Sequence, residues 1–213
     1  MSEQIILYYA HDPMCSFCWA FRPTWSTVKS ELLAQHPQIE IQYLLGGLAP
    51  DSDQLMAEAV QTKVRSAWRY IEKNIPGTRF NHDFWVSQQP RRSTYPSCRA
   101  VVAVKMLAPE LEDEIILAIQ QAYYLQALNP SDDDTLIGCA EKIGLDAAVF
   151  KETYQSDQCN QAFMQESQFC RSIGMNSFPS IVLVRGKSRF NVPIEYNHAD
   201  KLLDSLRQIA TLL

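Results

Sequence analysis

Two cysteines separated by two residues, Cys15-Ser16-Phe17-Cys18, follow the apolar run Ile5-Ile6-Leu7-Tyr8-Tyr9 and precede a helical pattern that begins at Trp19. This juxtaposition narrows the folds open to the chain more than any other feature. The apolar run reads as a buried strand by its β-branched and aromatic content. The cysteines therefore sit where a strand turns into a helix. A sulfur at a helix N-terminus faces unpaired N–H groups and the positive end of the macrodipole, which favour the thiolate. The second cysteine lies about one helical turn further on, close enough to bridge the first. Asp12 is expected to cap the helix and Pro13 to occupy its first turn. Helical structure then begins either before Cys15 or at it. Trp19 and Phe21 supply apolar cover. Cys18 is expected to point inward, leaving Cys15 as the exposed nucleophile.

A chain of 213 residues buries a sizeable core as one large domain or two intimate ones. The formal net charge of -5 argues against nucleic acid as the main partner. Arg91-Arg92 is a local basic pair, for which a solvated loop is the plainer reading. The first residues lack a basic leader region. No apolar stretch approaches the roughly 20 residues that span a bilayer. The expectation is a cytoplasmic protein with no membrane partner. Its six cysteines (15, 18, 98, 139, 159 and 170) should then be mostly reduced. Cys98, Cys139, Cys159 and Cys170 read as small apolar packing groups. Cys159 and Cys170 share a helical stripe roughly 16 Å apart, too far to bridge.

Strands are predicted over 5–10, 39–44 and 181–185, with a weaker edge strand over 188–194. Helices are predicted over 19–35 (Trp25, Val28, Leu32 and Leu33 inward), 53–74, 97–107, 110–128, 132–143, 146–154 and 156–173. A last helix covers about 199–211, with Leu202, Leu203, Leu206 and Ile209 inward. The stretch 78–96 reads as irregular. The order is βαβ, a block of helices, then ββα. Ser177-Phe178-Pro179-Ser180 precedes the third strand. Its proline invites a cis peptide, with a trans proline opening a strand as the alternative. A cis bond would leave the Phe178 backbone free to pair with an extended peptide.

Cys15-Ser16-Phe17-Cys18-Trp19 after the first strand, with Met175-Asn176-Ser177-Phe178-Pro179-Ser180 before the third, resembles the thioredoxin superfamily. The large helical insertion resembles its DsbA family. Tyr95-Pro96-Ser97-Cys98-Arg99-Ala100 is similar to a segment of cytoplasmic FrnE-like members. The resemblance covers essentially the whole chain. It implies an α/β thioredoxin fold with a large all-helical insertion. Residues 1–48 and 165–213 would form the discontinuous thioredoxin-like domain, and 49–164 the insertion. It also implies thiol–disulfide exchange, with Cys15 attacking, Cys18 resolving and Pro179 as the cis-proline. The strongly oxidising periplasmic members resemble C-P-H-C, whereas the central pair here is Ser16-Phe17. Without that histidine one source of thiolate stabilisation is missing, and a milder potential is expected, nearer a reductase or isomerase.

Other readings compete at each residue. A zinc half-site would need four ligands, and no second C-x-x-C accompanies the first, so no metal is expected. No cofactor is expected beyond the Cys15–Cys18 dithiol, with glutathione a candidate co-substrate. His11 could tune Cys15 or meet a substrate, against the commoner fate of a surface residue. Trp19 could touch substrate with Phe178 and Pro179, against packing that shapes the site. Phe80, Phe84 and Trp85 could line a groove, against burial; Tyr123-Tyr124 reads as helix packing. The expected partners are protein or small-molecule disulfides and thiols; the oligomeric state is open. Two alternatives stand beside exchange chemistry. One is a glutathione-dependent isomerase or transferase, like the kappa-class transferases and hydroxychromene-carboxylate isomerases. The other is a redox-dependent adaptor without turnover.

Overall fold

The computed structural model describes residues 4–212. Residues 1–3 and 213, included in the expected domain ranges, lie outside them. Four strands form one sheet in the order β2-β1-β3-β4. They are β1 (Ile5–His11), β2 (Ile39–Leu45), β3 (Ser180–Arg185) and β4 (Ser188–Val192). β1 pairs in parallel with β2, which requires a crossover. Helix α1 (Ser16–Gln35) supplies it. β1 also pairs antiparallel with β3, and β3 with β4 through the turn at Gly186-Lys187.

Alternation along β1 sends its side chains to two cores. Leu7 and Tyr9 join Phe21, Trp25 and Val28 of α1 and Leu202 and Leu206 of α9 (Ala199–Leu212). Tyr8 and Ala10 face the other way, onto Cys170 of α8 (Asp157–Ser172) and Met175. With helices on both faces the two central strands, β1 and β3, are largely buried, which accounts for their nearly continuous apolar sequence. Leu33 was expected inward but is exposed; the apolar stripe of α1 runs through Trp25, Val28 and Leu32 without it.

Between β2 and β3 lie α2 (Glu58–Asn74), α3 (Phe84–Ser87), α4 (Tyr95–Leu107), α5 (Glu112–Tyr124), α6 (Asp133–Lys142), α7 (Ala147–Tyr154) and α8. Asp146 and Ser156 cap α7 and α8, their side-chain oxygens accepting backbone N–H bonds. The helix expected from residue 53 starts only at Glu58. Residues 53–57 instead run beside the segment 90–91: Leu55 bridges Arg91, and the Met56 amide donates to Pro90 O at 2.7 Å. The helix expected over 110–128 is a short 3-10 turn, Pro109–Leu111, followed by α5, which ends at Tyr124. The expected boundary at 164/165 falls inside the continuous α8.

Trp68 is fully buried at the centre of an aromatic cluster, stacked on Phe80 at 4.7 Å and flanked by Phe84, Trp85, Tyr123 and Tyr124. The three candidate groove aromatics, Phe80, Phe84 and Trp85, are thus core. Among the described residues no helix is long and apolar enough to cross a membrane.

Candidate active site

Cys15 is the N-cap of α1, with extended backbone, and helical structure begins one residue later at Ser16. Asp12 does not cap the helix as expected. Its backbone carbonyl accepts the Cys15 amide at 2.9 Å, but its carboxylate turns away. One oxygen accepts from the Met14 amide at 2.7 Å. The other accepts from the Leu48 amide at 2.8 Å and the Thr94 hydroxyl at 2.6 Å, with the Cys98 thiol at 3.7 Å. Asp12 is fully buried, and burial pushes its carboxyl pKa up against the lowering effect of these bonds. It ties the cysteine loop to the end of β2 and the start of α4, a role its place in the sequence does not announce.

Both cysteines are free thiols, and both are buried, at 5% and 1% exposure for Cys15 and Cys18. Cys15 was expected to be exposed; it is buried, with Phe178 against it. The two sulfurs open on different spaces. Cys15 lines a cavity of about 230 Å³ open to solvent, whereas Cys18 faces a separate and much smaller one of about 10 Å³. Burial pushes the Cys18 pKa well up, and its hydrogen bond to Cys15 adds to the shift, so Cys18 keeps its proton. The Cys15 thiol donates to Phe178 O at 3.4 Å.

The Phe178–Pro179 peptide is cis. The Phe178 carbonyl lies against Cys15 and the Phe178 ring against Gly46. The ring lies where a Gly46 side chain would be: an ideal Cβ there would stand 1.7 Å from Phe178 Cζ. Gly46 cannot retreat easily. Its amide donates to His11 O, and its carbonyl accepts from Ser167 Oγ and Arg171 Nη2 of α8.

The open cavity has one wall from the cysteine loop, including Met14 and Phe17, and another from the helical block, including Met56, Val64, Arg92 and Tyr123. Phe178 lines it; Pro179, Trp19 and His11 do not. Trp19 stacks on Tyr124 at 5.6 Å and donates from Nε1 to Arg79 O at 3.1 Å, fastening α1 to the helical block. His11 is 1% exposed rather than on the surface, stacked on Tyr9 and edge-on to Tyr43. Burial lowers its pKa to about 3, so its ring is neutral, and its Nε2 has no hydrogen-bond partner. It borders the small cavity that Cys18 faces. The structure therefore brings Cys15, Cys18 and the Phe178–Pro179 peptide together, with His11 behind them and Trp19 to one side.

The helical wall was not legible in the sequence. Met56, Val64 and Tyr123 carry no local signal. Arg91-Arg92 was visible, but the solvated-loop reading is incomplete. Arg91 forms an ion pair with Asp132 and donates to Ser131 O at 2.9 Å, while Arg92 stays exposed at the cavity. Cys98, Cys139, Cys159 and Cys170 are all buried free thiols, as their packing role requires.

Comparison with known proteins agrees with this architecture. The family described as Thioredoxin matches residues 8–200. A Nitrosomonas europaea protein provisionally described as a protein disulfide isomerase superposes with a TM-score of 0.86 at 24% identity, covering 99% of both chains. The cytosolic disulfide reductase DsbM of Pseudomonas aeruginosa gives a TM-score of 0.78 at 18% identity, over 98% of this chain and 100% of that one. DsbM has also been solved with GSH. A ClpXP adapter protein, SpxH, of Halalkalibacterium halodurans is 24% identical over 83% of this chain. The chain spans 57% of that relative's length. The fold is the DsbA-like form of the thioredoxin fold.

Proposed function

The chain belongs to the thioredoxin family, and from that premise we propose that it is a thiol–disulfide oxidoreductase of the reductase or isomerase type, working in the cytoplasm. The observation that carries the reading is the asymmetry of the two sulfurs. Cys15 occupies the N-cap position of a helix and meets an open cavity, while Cys18 is buried and protonated beside it. In the first step the Cys15 thiolate attacks one sulfur of a substrate disulfide. The Cys15–substrate bond forms, the substrate S–S bond breaks, and the second substrate sulfur leaves as a thiolate. Cys18 then gives up its proton and attacks Cys15 Sγ. The substrate departs as a thiol and the Cys15–Cys18 disulfide remains, two electrons having passed to the substrate. A small thiol such as glutathione would restore the dithiol by the reverse exchange and leave as its disulfide. The Phe178 backbone would align an extended substrate across Cys15 by strand-like pairing. Among the described residues no hydrogen bond uses the Phe178 amide. The domain division is proposed at the same level: a thioredoxin-like unit carrying both cysteines, and a helical insertion that narrows access.

Trapping tests the mechanism. Cys18→Ala should hold a mixed disulfide on Cys15 that mass spectrometry detects and dithiothreitol releases. Cys15→Ser should abolish exchange. Turnover by Cys15→Ser would refute the assignment.

The similarity to SpxH favours a second reading, an adaptor that engages a protein partner through this face. It predicts partner binding by Cys15→Ser without turnover in the wild type. A glutathione-dependent isomerase would instead keep its activity in Cys18→Ala and require glutathione.

A further inference from the structure

The cavity at Cys15 has a polarity that disulfide exchange alone does not require. The chain as a whole is acidic, with a formal net charge of -5. The cavity is lined by two arginines and, among the described residues, by no carboxylate. Asp12 lies behind Thr94, fully buried and engaged by four donors. Arg91 is committed to Asp132 and the Ser131 carbonyl, which fixes the loop. Arg92, next in sequence, lines the same cavity. Arg92 is exposed and has no ion pair or hydrogen bond among the described residues. Its charge is felt at the buried Tyr123 phenol, on the helical wall of the same cavity. The opposite wall, Met14 and Phe17, is apolar. The cavity, about 230 Å³ and open to solvent, has room beside Cys15 for a short thiol-bearing segment.

We propose that Arg92 reads a carboxylate on the substrate, so that the site selects small anionic thiols and disulfides of the glutathione class over neutral ones. The inference rests on the oxidoreductase reading and adds to it a substrate charge and the residue that recognises it. A guanidinium is suited to this task because its planar donor fork matches a carboxylate in a bidentate pair. The pair would form beside the reacting sulfur without entering the exchange chemistry, which makes Arg92 a specificity residue. In the exchange itself the Cys15 thiolate attacks one sulfur of glutathione disulfide, the Cys15–glutathione bond forms, and one glutathione thiolate leaves. Cys18 then loses its proton to solvent, displaces the second glutathione as its thiolate, and the Cys15–Cys18 disulfide forms.

The test compares two oxidants of the reduced full-length protein, glutathione disulfide and bis(2-hydroxyethyl) disulfide, by their second-order rate constants. The readout is the ratio of the two. Arg92→Gln should lower the ratio about three- to tenfold, as expected for loss of one partly exposed charge-assisted contact. Arg92→Lys should retain most of it, and Arg92→Glu should lower it further. The difference between wild type and Arg92→Gln should shrink in ~1 M salt, where the Debye length is about 3 Å. An unchanged ratio in Arg92→Gln and Arg92→Glu would overturn the proposal while leaving the oxidoreductase reading intact. Failure of wild type to react with either disulfide would overturn both.

Discussion

Gly46 is the position where the smallest substitution should do the most to the site. Adding one methyl group, Gly46→Ala, places a carbon 1.7 Å from Phe178 Cζ and 2.1 Å from Cε1. Carbon atoms rest at about 3.5–4.0 Å, so something must move by roughly 2 Å. The Gly46 backbone is held by His11 O, Ser167 Oγ and Arg171 Nη2, and the preceding Leu45 amide by Glu166 Oε1 at 2.8 Å. The Phe178 ring is therefore the part that yields. Overpacking of this kind costs about 1–3 kcal/mol. The displaced ring should carry the Phe178 carbonyl away from its 3.4 Å contact with Cys15. Misplacement by about 1 Å can cost as much as 100-fold in rate. Urea unfolding should show the stability loss, and the rate of disulfide exchange should fall by roughly tenfold or more. The decisive arm is a double-mutant cycle. In a Phe178→Ala background the obstacle is gone, so Gly46→Ala should be nearly neutral, giving a coupling energy of about 1–3 kcal/mol. Strict additivity of the two substitutions, or a Gly46→Ala protein as stable and reactive as wild type, would refute this account of the packing.

Two further perturbations follow from burial. Burial lowers the His11 pKa from 6.5 to about 3, so the folded protein keeps the ring neutral while the unfolded chain takes up a proton below 6.5. This contribution is complete above pH 6.5 and is lost as pH falls toward 3, with a slope of at most about 1.4 kcal/mol per pH unit. Asp12, whose pKa burial raises, works in the opposite sense above 3.8. His11→Phe keeps Asp12, so the difference between the two proteins in urea unfolding from pH 7 to 4 isolates the histidine. Identical slopes would contradict its neutral burial. Trp68→Ala should cost about 3–5 kcal/mol, or roughly 6–20 °C in Tm for a chain of this size. A calorimetric change of a degree or two would mean that the aromatic cluster does not support the helical block.

The sequence specified the frame better than the far wall of the site. β1 and β3 are short, nearly continuous apolar runs and α1 carries an apolar stripe through Trp25, Val28 and Leu32, and the cysteine pair and Phe178-Pro179 sit at their ends, so tracing them locates the chemistry. The start of α2 was missed because Leu55 and Met56 pair with the segment 90–91, a tertiary contact with no local signature. Asp12 resembled a helix cap in one dimension. In three, Thr94 and Leu48 claim its carboxylate, leaving Cys15 as the cap. His11 looked like a surface histidine because a lone ring before a turn gives no hint that Tyr9 and Tyr43 enclose it. Arg92 lines the cavity beside Arg91, whose anchors, Ser131 and Asp132, lie 40 and 41 residues along the chain and have no local signature.

The central claim is that Cys15 and Cys18 form a redox-active pair, and its most direct test is their equilibrium reduction potential in glutathione redox buffers, with Cys15→Ser as control. The expected result is reversible formation of one intramolecular disulfide, absent in the control, at a potential near or below the cytosolic glutathione poise of about −220 to −260 mV. A potential near that of a strong oxidant, about −120 mV, would contradict the reductase or isomerase assignment. Failure to form the disulfide at any glutathione ratio would contradict the dithiol mechanism itself.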